Sequence, residues 1–388
     1  MNDSGAQTIA GVLAAISAPF FMTLGFIVWD IEWKKARGSA FALNMFKCNL
    51  ASIAFLVMCS IVGFKNQRNN YIEDGEKNVF SVQNVGFLML SSCIGIIVGD
   101  SAWLEALRLL GATRVLVVDT VKPFVAAGLG RWILGEQVHP IIFPGMALTI
   151  LGVLLVSLEK ERKNGTKTEV PENAKHSDEE NSPEETTDLS VENVEQVSHS
   201  AEEGVIRVYS FHRLLSPSHD IVRGYIFAVM NVLLDTYGSI LTKQFGVGMT
   251  TFAINLIRFG FAGIVMISVS FVFFIKSKLL QKAESENSLT NGANFSANPP
   301  WYLLPHMSRK GWGKICMGVA LVTFICPALS NYALFQIAIA LAITLGSLTP
   351  LYALILEWIL NGNQPTKQGV IGAILAVLGV VILGTFRS

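Results

Sequence analysis

Residues 112–156 recur at 339–383, displaced by 227 positions without a gap. Pro123 falls on Pro350, Gly135 on Gly362, Gln137 on Gln364, Gly145 on Gly372 and Gly152-Val153 on Gly379-Val380, with Leu148 and Leu151 on Leu375 and Leu378. An apolar chain matches leucine with leucine by chance, but not this punctuation of proline and glycine. The chain is therefore an internal duplication, and it must fold as two versions of one unit.

The unit belongs in a membrane. Hydrophobic residues make up 51% of the chain and charged ones 15%, and the mean hydropathy is +0.48. Apolar runs of about 18 residues or more, enough for a helix to cross roughly 30 Å of hydrocarbon, recur along it. Ten spans are predicted, at 8–28, 40–64, 85–107, 112–134 and 140–158, then 224–245, 251–275, 313–335, 339–360 and 369–386. The run from Ile9 reads as the first span, not as a removable leader. The second span repeats as well: 41–47, ending at Lys47, matches 252–258, ending at Arg258, at a shift of 211. The two repeats thus cover 8–159 and 224–386. Five helices per unit is an odd number, so the second unit enters the bilayer from the opposite side. The fold expected is an all-α membrane protein of ten transmembrane helices in two inverted five-helix repeats.

Residues 160–223 form the linker between the repeats. From 168 to 203 it holds twelve acidic residues and one lysine, too little apolar surface to offset its ordering entropy, so it reads as disordered. Ser177 and Ser182 lie in phosphorylatable contexts there. A second polar interval occupies 276–310. The 1–2, 3–4 and 7–8 connections and the linker ends carry most of the basic residues, which places that side in the cytoplasm by the positive-inside rule. The sequons Asn164-Gly165-Thr166 and Asn294-Phe295-Ser296 lie on the same side and argue the reverse. Zero net charge and no basic stripe exclude nucleic acid as a partner. Cys48, Cys59, Cys93, Cys316 and Cys326 sit in apolar segments without CxxC spacing and read as small buried hydrophobes. No metal site or cofactor is implied.

Ionisable groups at membrane depth are costly and usually face a cavity or a charged neighbour, so they mark the candidate site. The duplication places Lys47 and Arg258 at matching points, with Asn44 and Asn255 one turn earlier; two cations in one cavity would hold an anionic group. Asp119 and Lys122 lie three apart on one helical face, and the second repeat has Gly346 and Thr349 there. They form either a salt bridge that lowers insertion cost or a binding feature, Asp119 for an amine or a coupling proton and Lys122 for a carboxylate. Pro123 and Pro350 interrupt the helices beside them. Asp100 and Asp235, inside long apolar runs, are further substrate-binding candidates; Glu105 pairs with Arg108 at i,i+3, and Glu357 lies near a helix end. Gly145 with Gly152, and Gly372 with Gly379, make small-residue faces for close packing within the fold or against a second copy of the chain.

The run 106–136, ALRLLGATRVLVVDTVKPFVAAGLGRWILGE, and its second copy at 333–365 resemble the closing part of an EamA domain of the drug/metabolite transporter superfamily. Lys47 and Arg258 look like that family's cation in the second helix. The resemblance covers nearly all the spans and none of the linker, and it implies a carrier with both termini in the cytoplasm. Gly135-Glu136 keeps the family's Gly-Glu after the fourth helix, and Gly362-Asn363 does not. The similar triose-phosphate transporters place a lysine where Asp119 stands, which argues against a phosphorylated sugar.

The function expected is a secondary carrier in the plasma membrane or an internal membrane. It would move a small polar metabolite, amino-acid-like or an organic anion, by alternating access, with or without a coupling ion. A divalent-cation channel through Asp100, Asp119 and Asp235, and a regulatory scaffold acting through the acidic linker, are the alternatives. No nucleophile–base spacing lies inside the spans, so an enzyme is not expected.

Overall fold

The computed structural model describes residues 3–65, 79–110, 112–137, 140, 142–166, 217–287, 300–362 and 364–385. Most of the acidic linker, with Ser177 and Ser182, and the sequon at Asn294 lie outside them. The described chain is helical apart from one isolated bridge, Lys65 to Met249.

The first repeat comprises α1 (Asp3–Lys35), α2 (Ala40–Val62), α3 (Val82–Ser92), α4 (Asp100–Leu110), α5 (Ala112–Asp119), α6 (Lys122–Leu134) and α7 (Ile142–Thr166). The second comprises α8 (Pro217–Phe245), α9 (Thr251–Asn287), α10 (Arg309–Val319), α11 (Cys326–Gln336), α12 (Ile339–Gly346), α13 (Thr349–Asn361) and α14 (Lys367–Thr385). Two π-helical segments, Cys93–Gly99 and Ala320–Ile325, join α3 to α4 and α10 to α11. Among the described residues seven helices are long and apolar enough to cross a membrane, and Ile142–Ser157 and Lys367–Leu383 are shorter apolar helices. The fourth expected span, broken like its counterpart at 339–360, differs because it carries Arg114, Asp119, Lys122 and Arg131. Several helices overrun their expected spans: α1 extends from 3 to 35, α7 continues past 158 into the first sequon, α8 begins at 217 and α9 continues past 275.

Short side chains start these helices and glycines stop them. The hydroxyls of Ser39, Ser81, Thr250 and Ser308 accept from the amides of Ala42, Asn84, Ala253 and Gly311 at 3.0–3.2 Å. Each such cap is worth about 1 kcal/mol. Gly135 and Gly362 both end their helices at φ 67°, a left-handed conformation that suits glycine.

Counterpart helices of the two repeats run antiparallel against each other. Along α2 and α9, Asn49 Nδ2 donates to Gly263 O at 3.4 Å, while further along α2 the Gly63 carbonyl accepts from Thr250 Oγ1 at 3.0 Å, earlier in the other chain segment. Along α7 and α14, Gly145 abuts Leu383 and Gly152 abuts Gly372 and Ala376. The glycine faces expected to pack either internally or against a second copy are thus used within the chain. Between these pairs, α1 packs on the α10–α11 segment, where Gly25 meets Gly318 and Val322, and α8 packs on the α3–α4 segment, where Gly238 meets Ser91 and Gly95. The two contacts superpose when the α3 residues are shifted by 227 and the α1 residue by 213.

The backbone approach at Gly152 predicts a clear asymmetry between substitutions. A Cβ there would strike Ala376 and the Gly372 carbonyl, whereas one at Gly128 would meet nothing within 4 Å. Overpacking costs about 1–3 kcal/mol and more where backbone is the obstacle. Gly152→Leu is expected to lower the thermal unfolding midpoint in detergent, and Gly128→Leu to leave it within about 0.5 kcal/mol.

Candidate functional site

The centre of the bundle is built on interrupted helices. Between α5 and α6 the chain turns at Thr120-Val121, and Val118, Val121 and the amides of Phe124 and Val125 bond in a fixed sequence. Leu345, Leu348, Leu351 and Tyr352 repeat those bonds, shifted by 227, between α12 and α13. Proline causes both breaks: Pro123 and Pro350 have no N–H to donate and tolerate only the first turn of a new helix.

The two π turns also superpose under the 227 shift. In the second, the ring of Pro327 displaces the carbonyl four residues back and forces the wider turn. The first has glycines at 95 and 99 and no proline. Asn44 Nδ2 donates to Ile96 O in the first π turn at 3.3 Å. Its counterpart Asn255 donates to Pro327 O beside the second at 3.3 Å, and Asn255 Oδ1 accepts from Asn331 at 2.6 Å. Both amides, expected to line the cavity, donate to backbone carbonyls, one in the first π turn and one just beyond the second.

Asp119 closes α5 and Lys122 opens α6, and their side chains meet across the break, Nζ to Oδ1, at 3.3 Å. The same ammonium lies 3.3 Å from Asp235 Oδ2 on α8, which makes a carboxylate–ammonium–carboxylate triad. Trp103 Nε1 donates to Asp119 Oδ2 at 3.3 Å. Asp119 and Lys122 are 18% and 19% exposed and Asp235 is 43% exposed, so the triad is least covered on the α8 side. Lys122 is shared between two acids.

Arg258 is 8% exposed, its Nε has no hydrogen-bond partner, and a Cβ at Gly95 would stand 3.5 Å from its Nη2. Its carbonyl accepts from Ser92 Oγ at 2.5 Å. Asp100 lies within electrostatic reach of Lys47, Asp235, Lys122 and Arg258. Lys47 also sits 5.8 Å from the Trp29 ring centroid. Asp100 thus lies in the field of both repeat-related cations, and Arg258 also lies in that of Asp235. The side chains of Arg108 and Glu357 lie outside those described.

Asn231, absent from the sequence-based candidates, is 2% exposed; its Nδ2 donates to Gly99 O at 3.0 Å and its Oδ1 has no partner. The buried polar atoms without a hydrogen bond among the described residues are Asp119 Oδ1, Asn231 Oδ1, Arg258 Nε and Thr323 Oγ1. Every one of them lies at the helix break or against a π turn. The described residues hold no group of three His, Cys, Asp or Glu placed to bind a metal.

The EamA-like transporter family matches residues 9–158 and 222–385, one copy for each repeat. The chain belongs to that family. This EamA-like protein is accordingly a multi-pass membrane protein and a transporter in general character. A solved crystal structure is similar over 100% of both chains with a TM-score of 0.59 and 13% identity, which shows a shared fold. No curated protein matches the chain.

The shared ammonium makes a test of the triad. Lys122→Met leaves two carboxylates facing each other and is expected to lower the unfolding midpoint, and Asp235→Asn in the same chain to restore part of the loss. A thermal double-mutant cycle should give a coupling of about 0.5–3 kcal/mol; strictly additive losses would mean that the pair does not interact.

Proposed function

We propose that this EamA-like transporter is a secondary carrier with ten spans in two inverted five-helix repeats, at 8–159 and 224–386, joined by the linker at 160–223. Alternating access around the broken helices would move a small amino-acid-like metabolite. The antiparallel pairing of α2 with α9 and of α7 with α14 supports the inversion, and inverted repeats around a midplane site suit such a cycle. Seven long apolar helices, two shorter ones and the charged, broken α5–α6 segment supply the ten spans.

One observation carries the choice of substrate: Lys122 is bound by both Asp119 and Asp235. Two carboxylates around one ammonium leave a net negative charge at the accessible end of the site, which favours a cationic amine. Asp119 Oδ1 and Asn231 Oδ1 are acceptors without hydrogen bonds, and Arg258 Nε is a donor without one. Asp119 Oδ1 already faces Lys122 at 3.3 Å, so a substrate ammonium at Asn231 Oδ1 and the exposed Asp235, with a carboxylate at Arg258 Nε, would satisfy the remaining groups, a charge pattern that an organic anion lacks. The same triad counts against a divalent-cation channel, since a fixed ammonium stands between two of the three acids assigned to its path.

Purified carrier in proteoliposomes should show saturable uptake and counterflow of amino acids, with N-acetylated and carboxyl-amidated analogues failing to compete. Asp235→Asn is expected to reduce uptake at least tenfold while the purified protein keeps its monodisperse elution profile and loses no more stability than the Lys122–Asp235 coupling. Unsaturating current, or full uptake by Asp235→Asn, would overturn the carrier and the site respectively.

A further inference from the structure

The bundle has two ends, and their counterpart residues are not equally packed. At the end that carries the Lys65–Met249 bridge, Ala126, Ile240, Leu334 and Ile339 form an apolar cluster, with Leu129, Ile133, Leu134 and Ile343 packed against it. Ile240 and Thr344 are 0% exposed there. Their counterparts at the opposite end, Ile27 and Val117, are 37% and 39% exposed. At these two positions the duplicated sequence is covered at the bridge end and less covered at the other.

A polar clasp lies over the closed end. Lys243, in the last turn of α8, meets Glu136 Oε1 at 2.5 Å and donates to Ile337 O at 2.7 Å. Glu136, just past the α6 cap, accepts the Ile339 amide on Oε2 at 2.9 Å. Ile339 is the first residue of α12, whose N-terminal amides favour a carboxylate. One ion pair so ties the ends of α6 and α8 to the turn between α11 and α12. Glu136 and Lys243 are 16% and 17% exposed, so water screens the pair only in part. By the same shifts the counterparts of Glu136 and Lys243 are Asn363 and Asp30, which cannot form this pair. The clasp exists at one end only.

We propose that Glu136 and Lys243 form a latch that holds this carrier shut at the bridge end, so that the chain rests with its central site open to the opposite side. The inference rests on the carrier reading for its purpose, but not for its test. In sealed vesicles carrying the full-length protein, Ala126→Cys reports the closed end and Ala353→Cys, its counterpart, the open end. Each is labelled with a membrane-impermeant maleimide from its own side and corrected for the same chain without the added cysteine. Unlatching by Glu136→Ala, and separately by Lys243→Gln, which leaves the Ile339 amide bond in place, should speed labelling at position 126 at least tenfold and slow it at 353. Unchanged rates at both positions would overturn the latch. Faster labelling at both would equally overturn it, since a loosened bundle opens everywhere. Opposite changes without any amine transport would keep the latch and remove the substrate assignment.

Discussion

In hydrocarbon no water is at hand to hydrogen-bond a stray carbonyl, so every departure from regular helix must be answered from within the protein. Among the described residues the chain departs four times near its centre, twice at proline breaks and twice at π turns, and the answering groups make its interior polar. Asn44 donates to a carbonyl of the first π turn and Asn255 to one just beyond the second. Ser91 and Thr242 meet each other and share the Gly238 carbonyl where α8 crosses α3. Charges collect at the same places because only there do they find one another. The site is a by-product of interrupted helices before it is a binding surface.

Much of this was legible in the sequence because the duplication offers an internal comparison. Proline on proline located both helix breaks, glycine on glycine located both left-handed caps, and the separation of Asp119 from Lys122 by one helical turn announced their contact. The second half of the triad was not legible. Asp235 is 113 positions from Lys122, and no local rule says which face of α8 would turn toward the break. Asn44 and Asn255 were found as matched polar residues, but their role depends on π turns, and the first of these has no proline to announce it. The Glu136–Lys243 pair was missed for a related reason. Each residue, read alone, is an ordinary charge beside a helix end, and only the fold brings them across 107 positions.

The copies also differ in ways that assign them separate tasks. The first repeat supplies Asp100, Asp119 and Lys122, where the second has Pro327, Gly346 and Thr349. The second supplies Asp235 and Arg258, so charge is complete only when both are present. Backbone architecture is held in common while side-chain chemistry has been divided between the copies.

The crossing of α7 with α14 has a further consequence. Gly152 touches the segment around Gly372, and Gly379 touches Thr149 and Gly145, so residues from the two copies face each other through an approximate dyad. A bulkier residue in either copy intrudes on the other at once. Here the descendants of one duplicated unit are not free to diverge independently: at this seam, what one half accepts in side-chain volume the other half must give up.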